Sequence, residues 1–232
     1  MIRNSILILI IAGIGWIMWH EYSAYRGGDQ LNEIAAYYAD KGPTETGAAN
    51  LVTAIVVTYR GFDTLGEVTI LFLTAAIIGF MLSAVKRQNE PKRREISEFL
   101  SSASKVLLPI IFLVGVYIFI NGHLTPGGGF QGGAVLASAI ILWVLSFSGT
   151  KVRHSILEAT EALSGIGFVL LGVLGIFLAG GFLDNKILPL GTFGSLFSAG
   201  AIPVIYSLVG LKVGAELSKI ILVMNETQGE EK

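Results

Sequence analysis

Residues 105–149 read KVLLPIIFLVGVYIFINGHLTPGGGFQGGAVLASAIILWVLSFSG, and they decide the fold. Two apolar runs, 105–122 and 130–149, flank a short polar break rich in glycine. A helix needs about 20 largely apolar residues to cross the hydrocarbon core of a bilayer. Each run is close to that length, and the break between them turns the chain back. The same pattern recurs at 4–22, 61–85, 158–180 and 194–224. The expected fold class is therefore all-α, a polytopic integral membrane protein with about six transmembrane helices. Composition points the same way. Hydrophobic residues fill 53% of the 232 positions and charged ones only 14%, whereas a soluble domain carries about 25% charge to meet water.

A net charge of −1 gives no electrostatic footprint for nucleic acid. The absence of cysteine excludes disulfides, thiolate-held iron–sulfur clusters and cysteine-based zinc sites within this chain. The three histidines, His20, His123 and His154, are scattered without metal-ligand spacing. No metal and no cofactor are expected here, so any redox chemistry belongs to a partner.

The first run, Ile6–Trp19, follows Arg3 as a signal peptide would. It lacks a small-x-small cleavage site, and Trp16, Trp19, Tyr22 and Tyr25 form an interfacial belt, which favours a retained helix. Residues 20–47 carry five acids against two bases and read as an ordered extramembrane loop. In 48–60, AANLVTAIVVTYR, the apolar residues Val52, Ile55, Val56 and Tyr59 recur at helical spacing, but the run is too short to span. It is expected as a short interfacial or partly inserted helix bending at Gly61. Six bases lie in 86–105, and Lys151 and Arg153 lie between the fourth and fifth spans. Placing these inside puts eleven of the sixteen bases in the cytoplasm, together with both termini, as the positive-inside rule prefers. The basic linker divides the chain into 1–90, with two spans and the interfacial helix, and 91–232, with four.

Ionisable side chains within a span cost on the order of 2.5–3.5 kcal/mol each at its centre, and those that persist usually face protein or a wet path. Asp63 and Glu67 lie four apart on one face of the second span. Asp63 suits a helix cap near the interface, while Glu67 is deeper and is a candidate for an ion path. Lys212 and Glu216 are i and i+4 on the last span and can pair. Lys212 is either a proton-relay group or half of a structural ion pair. Glu161, three residues after Glu158, is either a carboxylate at the mouth of a path or an acid favoured by the helix dipole. His123 has the chemistry of a proton relay and equally that of a hydrogen-bonded structural residue. Pro126, Gly127, Gly128 and Gly129 break the helix. Their backbone either lines a wet cavity or forms a tight turn. Gly210-x-x-x-Gly214 with Ser218, and Gly175-x-x-x-Ala179, offer faces for close helix approach.

The segment LLPIIFLVGVYIFINGHLTPGGGFQGGAVLASAIILWVL, with GGFLDNKILPLGTFG and VGLKVGAEL, resembles the MrpB (MnhB) subunit of Mrp-type multisubunit sodium/proton antiporters over about 96–226. The stretch GAANLVTAIVVTYRGFDTLGEVTILFL, over about 47–85, resembles the C-terminal part of the large MrpA subunit, with DTLGE as its marker. The long antiporter core is missing. Fusions of this kind resemble the Mrp-like modules of archaeal membrane-bound hydrogenases and sulfur reductases. The resemblance implies a membrane subunit of a sodium and proton translocation module. The host would be either a redox-driven hydrogenase or sulfur reductase, favoured by the fusion, or a multisubunit sodium/proton antiporter. Its partners would be other Mrp-like membrane subunits and, in the redox-driven case, a peripheral redox arm with iron–sulfur subunits, and Glu67 would belong to the ion path. A structural scaffold, whose buried charges only pack, is the rival reading.

Overall fold

The structure is a computed structural model that describes residues 2–25, 31–83, 97–147 and 152–227. Among them every regular element is helical. Most of the basic linker and Lys151 lie outside the described residues. The chain divides into two units, 1–37 and 38–232.

The first unit holds α1, Ile2–Ala24, and the start of α2, Glu33–Thr46. The described side chains of α1 are exposed along its whole length, Leu9 at 72%. A helix that is apolar all round and covered by none of its own unit is built for a non-aqueous surrounding. Trp16, Trp19, Tyr22 and Tyr25 are exposed with it.

The second unit is a helical bundle. Helix α3 opens at Leu51–Thr53 and runs on as a π-helical segment over Ala54–Tyr59. It is short, as expected, and the chain bends at Arg60 before α4, Gly61–Ser83. The bend brings Gly61 against Leu183, where a Cβ would meet the leucine side chain at 2.9 Å. Then follow α5, Glu98–Ile120, α6, Gly129–Ser146, α7, His154–Leu178, and α8, Ile202–Thr227.

Helix α8 packs against α4, α5, α6 and α7. Ile202, Ile205, Val209 and Val213, spaced three and four apart on one of its faces, are fully buried. Among the described residues five helices, α1 and α4 to α7, are long and apolar enough to cross a membrane, one fewer than the six expected. Helix α8 is not among them; it carries Lys212, Glu216 and Lys219, and α4 to α7 pack against it. Its start differs from the expected residue 194. Residues 191–200 form a loop in which Gly191, Gly194, Ala199 and Gly200 adopt positive φ, a conformation that a helix excludes. The loop's leucines and phenylalanines make it read as span by hydropathy alone.

The glycines of GGGFQGG serve packing. A Cβ on Gly133 would lie 2.7 Å from the Gly210 carbonyl, and one on Gly132 2.7 Å from the Gly115 carbonyl. Helix α6 therefore seats backbone to backbone on α8 and α5. The Gly210-x-x-x-Gly214 face works as expected, with Gly214 against Gly133. Gly175 instead receives the returning loop, its added Cβ meeting the Gly181 carbonyl.

Three connections meet at one end of this bundle. The Asn50 side-chain amide donates to the carbonyls of Gly122, 2.9 Å, and Thr125, 3.0 Å. Asn185 donates to those of Thr46, 2.7 Å, and Ala199, 3.0 Å. The loops before α3, between α5 and α6, and between α7 and α8 thus lie on the same side, which fixes the alternation of α4 to α8.

Candidate functional site

The densest collection of buried charge lies along α8. Lys212 Nζ donates to Glu216 Oε1 at 2.6 Å, and both side chains are buried, Glu216 completely. The ammonium also lies 5.0 Å from the centre of the Phe72 ring of α4, a cation–π distance. Its stem runs past Gly165 of α7, where an added Cβ would lie at 3.6 Å, in ordinary contact. Lys219, one turn beyond Glu216, donates to Glu161 Oε2 of α7 at 3.4 Å. Glu161 is 9% exposed and Lys219 32%. Glu161 and Lys219 are also close enough to act electrostatically on Glu216.

The row therefore alternates base, acid, base, with a second acid from the neighbouring helix. Positions 212, 216 and 219 are i, i+4 and i+7, a single helix face. Two charges of each sign cancel, which lets an enclosed site hold all four. One atom is left over: Glu216 Oε2 is buried without a hydrogen-bond donor among the described residues. A carboxylate accepts through both oxygens, so the row holds an open acceptor at its centre.

The other candidates fall elsewhere. Asp63, in the first turn of α4, pairs with Arg60 at 2.5 Å, both side chains exposed. Glu67 shares that exposed face of α4 and has no ion pair among the described residues. It lies within electrostatic reach of the Tyr206 phenol, which is buried on α8 and donates to Thr53 Oγ1 at 3.2 Å. Glu161 joins the buried row. Glu158 is exposed, as expected.

His123 is fully buried in the loop after α5. Its Nε2 lies 3.4 Å from the Ser195 carbonyl, and its backbone carbonyl accepts from the Asn50 amide at 2.9 Å. Burial pushes its pKa below the usual 6.5, against the backbone contacts at Ser195, Ile120 and Leu196 that raise it. Pro126 and Gly127 to Gly129 form the turn beside it and fit closely. Added Cβ atoms on Gly127 and Gly129 would meet the Ile118 carbonyl at 2.9 Å and Val209 at 2.7 Å.

Sequence reasoning missed Lys219, although its i+7 spacing from Lys212 was there to be read. It also missed Tyr206, Thr53, Asn50 and Asn185, which carry no charge to mark them. Among the described residues no group of three or more His, Cys, Asp and Glu side chains is placed to hold a metal ion.

A bundle of apolar helices around a charged central one defines a polytopic membrane protein that carries an internal polar row. The comparisons with known proteins give the family. Residues 99–219 match the model described as a domain related to the MnhB subunit of Na+/H+ antiporter, so the chain belongs to that family. Residues 2–100 match a second family model, MbhE, described as one of the subunits of MBH. The uncharacterized protein MJ1307 of Methanocaldococcus jannaschii is 34% identical over 76% of this chain and 77% of its own length. Among solved structures, a chain of the membrane-bound sulfane sulfur reductase, an archaeal respiratory membrane complex, superimposes with a TM-score of 0.81. It is 39% identical and covers 97% of this chain and 98% of its own. A chain of the Mrp complex from Dietzia sp. DQ12-45-1b has the same fold at a TM-score of 0.78. It is 23% identical, and the match covers 99% of this chain and 26% of that one.

Proposed function

We propose that this membrane subunit of an Mrp-type module carries part of a cation and proton path along α8, in a complex with other membrane subunits. One observation supports this above the rest. Two acids and two bases stand on facing helices inside the bundle, with one carboxylate oxygen left open. Ionisable groups enclosed at membrane depth are expensive, and a purely structural pair would close on itself. Glu67 extends the reading outward. An acid on the exposed face of a spanning helix needs a partner subunit or water against it, so we place an ion-conducting contact between α4 and a neighbouring subunit there.

Within this reading, residues 1–90 act as the MrpA-like part and 91–232 as the MrpB-like part, and the two share α8 as a common core element. The loop end of the bundle faces outward and both termini are cytoplasmic, as the basic linker requires. The end-to-end likeness to a chain of a respiratory sulfur reductase favours a redox-driven complex with an iron–sulfur peripheral arm over a freestanding antiporter. No catalytic redox centre is expected in this chain.

The test is translocation by the assembled complex in membrane vesicles, with Glu67→Gln, Lys212→Met and Glu216→Gln introduced one at a time. Each is expected to reduce sodium-dependent proton movement at least tenfold while the subunits still copurify. Normal translocation in all three would leave the chain a scaffold. Mass analysis of the proteins copurifying in mild detergent decides the redox arm. Iron–sulfur subunits support it, and antiporter subunits alone reject it.

A further inference from the structure

The Lys212–Glu216 pair is enclosed, so a charge reaching it must come through a neighbouring side chain that is less enclosed. Lys219 is that side chain. It is 32% exposed in the isolated chain against 10% for Lys212, it lies nearer the C-terminal end of α8 than Lys212, and it sits one turn from Glu216 on the same face. Its present contact is loose: 3.4 Å to Glu161, against 2.6 Å within the neighbouring pair. Beside it, Glu216 Oε2 is buried and has no donor among the described residues. A flexible lysine with a weak partner on one side and an open carboxylate oxygen on the other has two positions available to it. Of the other helices packed on α8, α6 carries no charged group, α5 carries Glu98 and Lys105, and α4 carries Asp63 and Glu67. Among the described residues the acceptors beside Lys219 are Glu161, which it already meets, and Glu216, one turn away on its own helix, with exposed Glu158 further along α7.

We propose that Lys219 is a swinging proton carrier that joins the aqueous end of α8 to Glu216, with Glu161 as its resting partner. This rests on the proposed ion-path reading and names its mobile element. The step balances as a proton transfer. The Lys219 ammonium leaves Glu161, approaches Glu216 Oε2 and gives up one proton, which leaves a neutral amine beside a neutral carboxylic acid. In low-dielectric surroundings such a neutral pair competes with the ion pair. The amine swings back and takes a proton from water at its exposed end. One proton has then moved from the aqueous phase to Glu216, and the reverse sequence returns it. Lys219 touches no substrate other than the proton it carries, and Glu161 is a positioning residue.

Lysine and arginine separate this from a fixed ion pair. Arginine keeps the charge and the contact with Glu161, but its pKa above about 12 prevents it from releasing the proton. In the assembled complex in vesicles, Lys219→Arg is expected to assemble normally and to lose at least tenfold in proton translocation, as Lys219→Gln does. Translocation at the wild-type rate in Lys219→Arg overturns the proposal, since charge alone would then suffice. A second variant decides the matter if the arginine disturbs assembly. Glu161→Gln removes the resting partner, so Lys219 is captured by Glu216 and translocation slows several-fold. The infrared band of a protonated carboxylic acid, assigned by its loss in Glu216→Gln, is then absent during turnover. An unchanged rate and band in Glu161→Gln overturns it equally. If Lys212→Met and Glu216→Gln abolish transport while both Lys219→Arg and Glu161→Gln leave it intact, the carrier falls and the ion path stands. If the Lys212 and Glu216 variants are also silent, the ion path itself falls.

Discussion

At the loop end of the bundle, polarity is carried by amides and hydroxyls. Asn50, Thr53 and Asn185 donate to loop carbonyls at 2.6–3.0 Å. Further along α8 it is carried by charge, as Lys212, Glu216, Lys219 and Glu161. Each region has a buried core, and among the described residues each leaves buried acceptors unfilled: Asn185 Oδ1 and His123 Nδ1 in the first, Glu216 Oε2 in the second. The consequences differ with the chemistry. An open lone pair on a neutral amide costs about 1–3 kcal/mol, and an open carboxylate oxygen costs more. The loop end bears that cost to join three connections at one place. In the charged row the cost falls on a group that can bind a proton. The difference teaches that burial alone does not mark a functional site.

The comparison can be broken most sharply at Lys212. Lys212→Met leaves Glu216 unpaired, and losing one partner of a buried ion pair costs about 3–5 kcal/mol. The unfolding transition of the complex in detergent is expected to fall accordingly. Lys212→Met with Glu216→Leu should recover most of that loss without recovering translocation. Recovery of transport would make the row structural. At the loop end, Asn185→Leu strands the Thr46 and Ala199 carbonyls, at a cost on the order of 2–4 kcal/mol. Translocation per assembled complex is expected to stay near wild type, and a specific loss of transport would erase the contrast.

His123 supplies a pH test of the loop end. Burial lowers its folded-state pKa below 6.5, so the unfolded chain binds the proton more readily. Stability is then full above about pH 6.5 and declines as the pH falls toward the lowered folded value. His123→Gln should flatten that slope between pH 7 and 5 in thermal unfolding (pH values set by the ordinary histidine range of about 6.5). The smallest effect is expected at Asp63. Its pair with Arg60 is exposed, and Asp63→Asn should change stability by no more than about 0.5 kcal/mol.

Much of the bundle was legible because hydropathy reads helices well when lipid is the surrounding. Within the described residues the expected spans 61–85 and 130–149 coincide with Gly61–Ser83 and Gly129–Ser146 to within a residue or so. The start of α8 was misread because 188–201, LPLGTFGSLFSAGA, is apolar enough to pass as span. Only its glycine spacing signals the positive-φ turns. Of the charged row, the Lys212–Glu216 pair was visible as i and i+4. The Glu161–Lys219 contact was not, since it joins residues 58 apart in sequence on two helices. The exposure of Glu67 was equally hidden, because helical spacing says which residues share a face and not what that face meets.

The composition of α8 also bears on how the protein is made. Two charged residues near the middle of one helix, Lys212 and Glu216, weigh on the order of 5–7 kcal/mol against transfer into lipid, at about 2.5–3.5 kcal/mol each. An isolated segment so burdened would stall at the translocon. Helices α4 to α7 precede α8 during synthesis, so a pre-assembled receiving groove can be waiting when it emerges. Maturation of this subunit is then a templated insertion, in which earlier helices act as the solvent for the latest one.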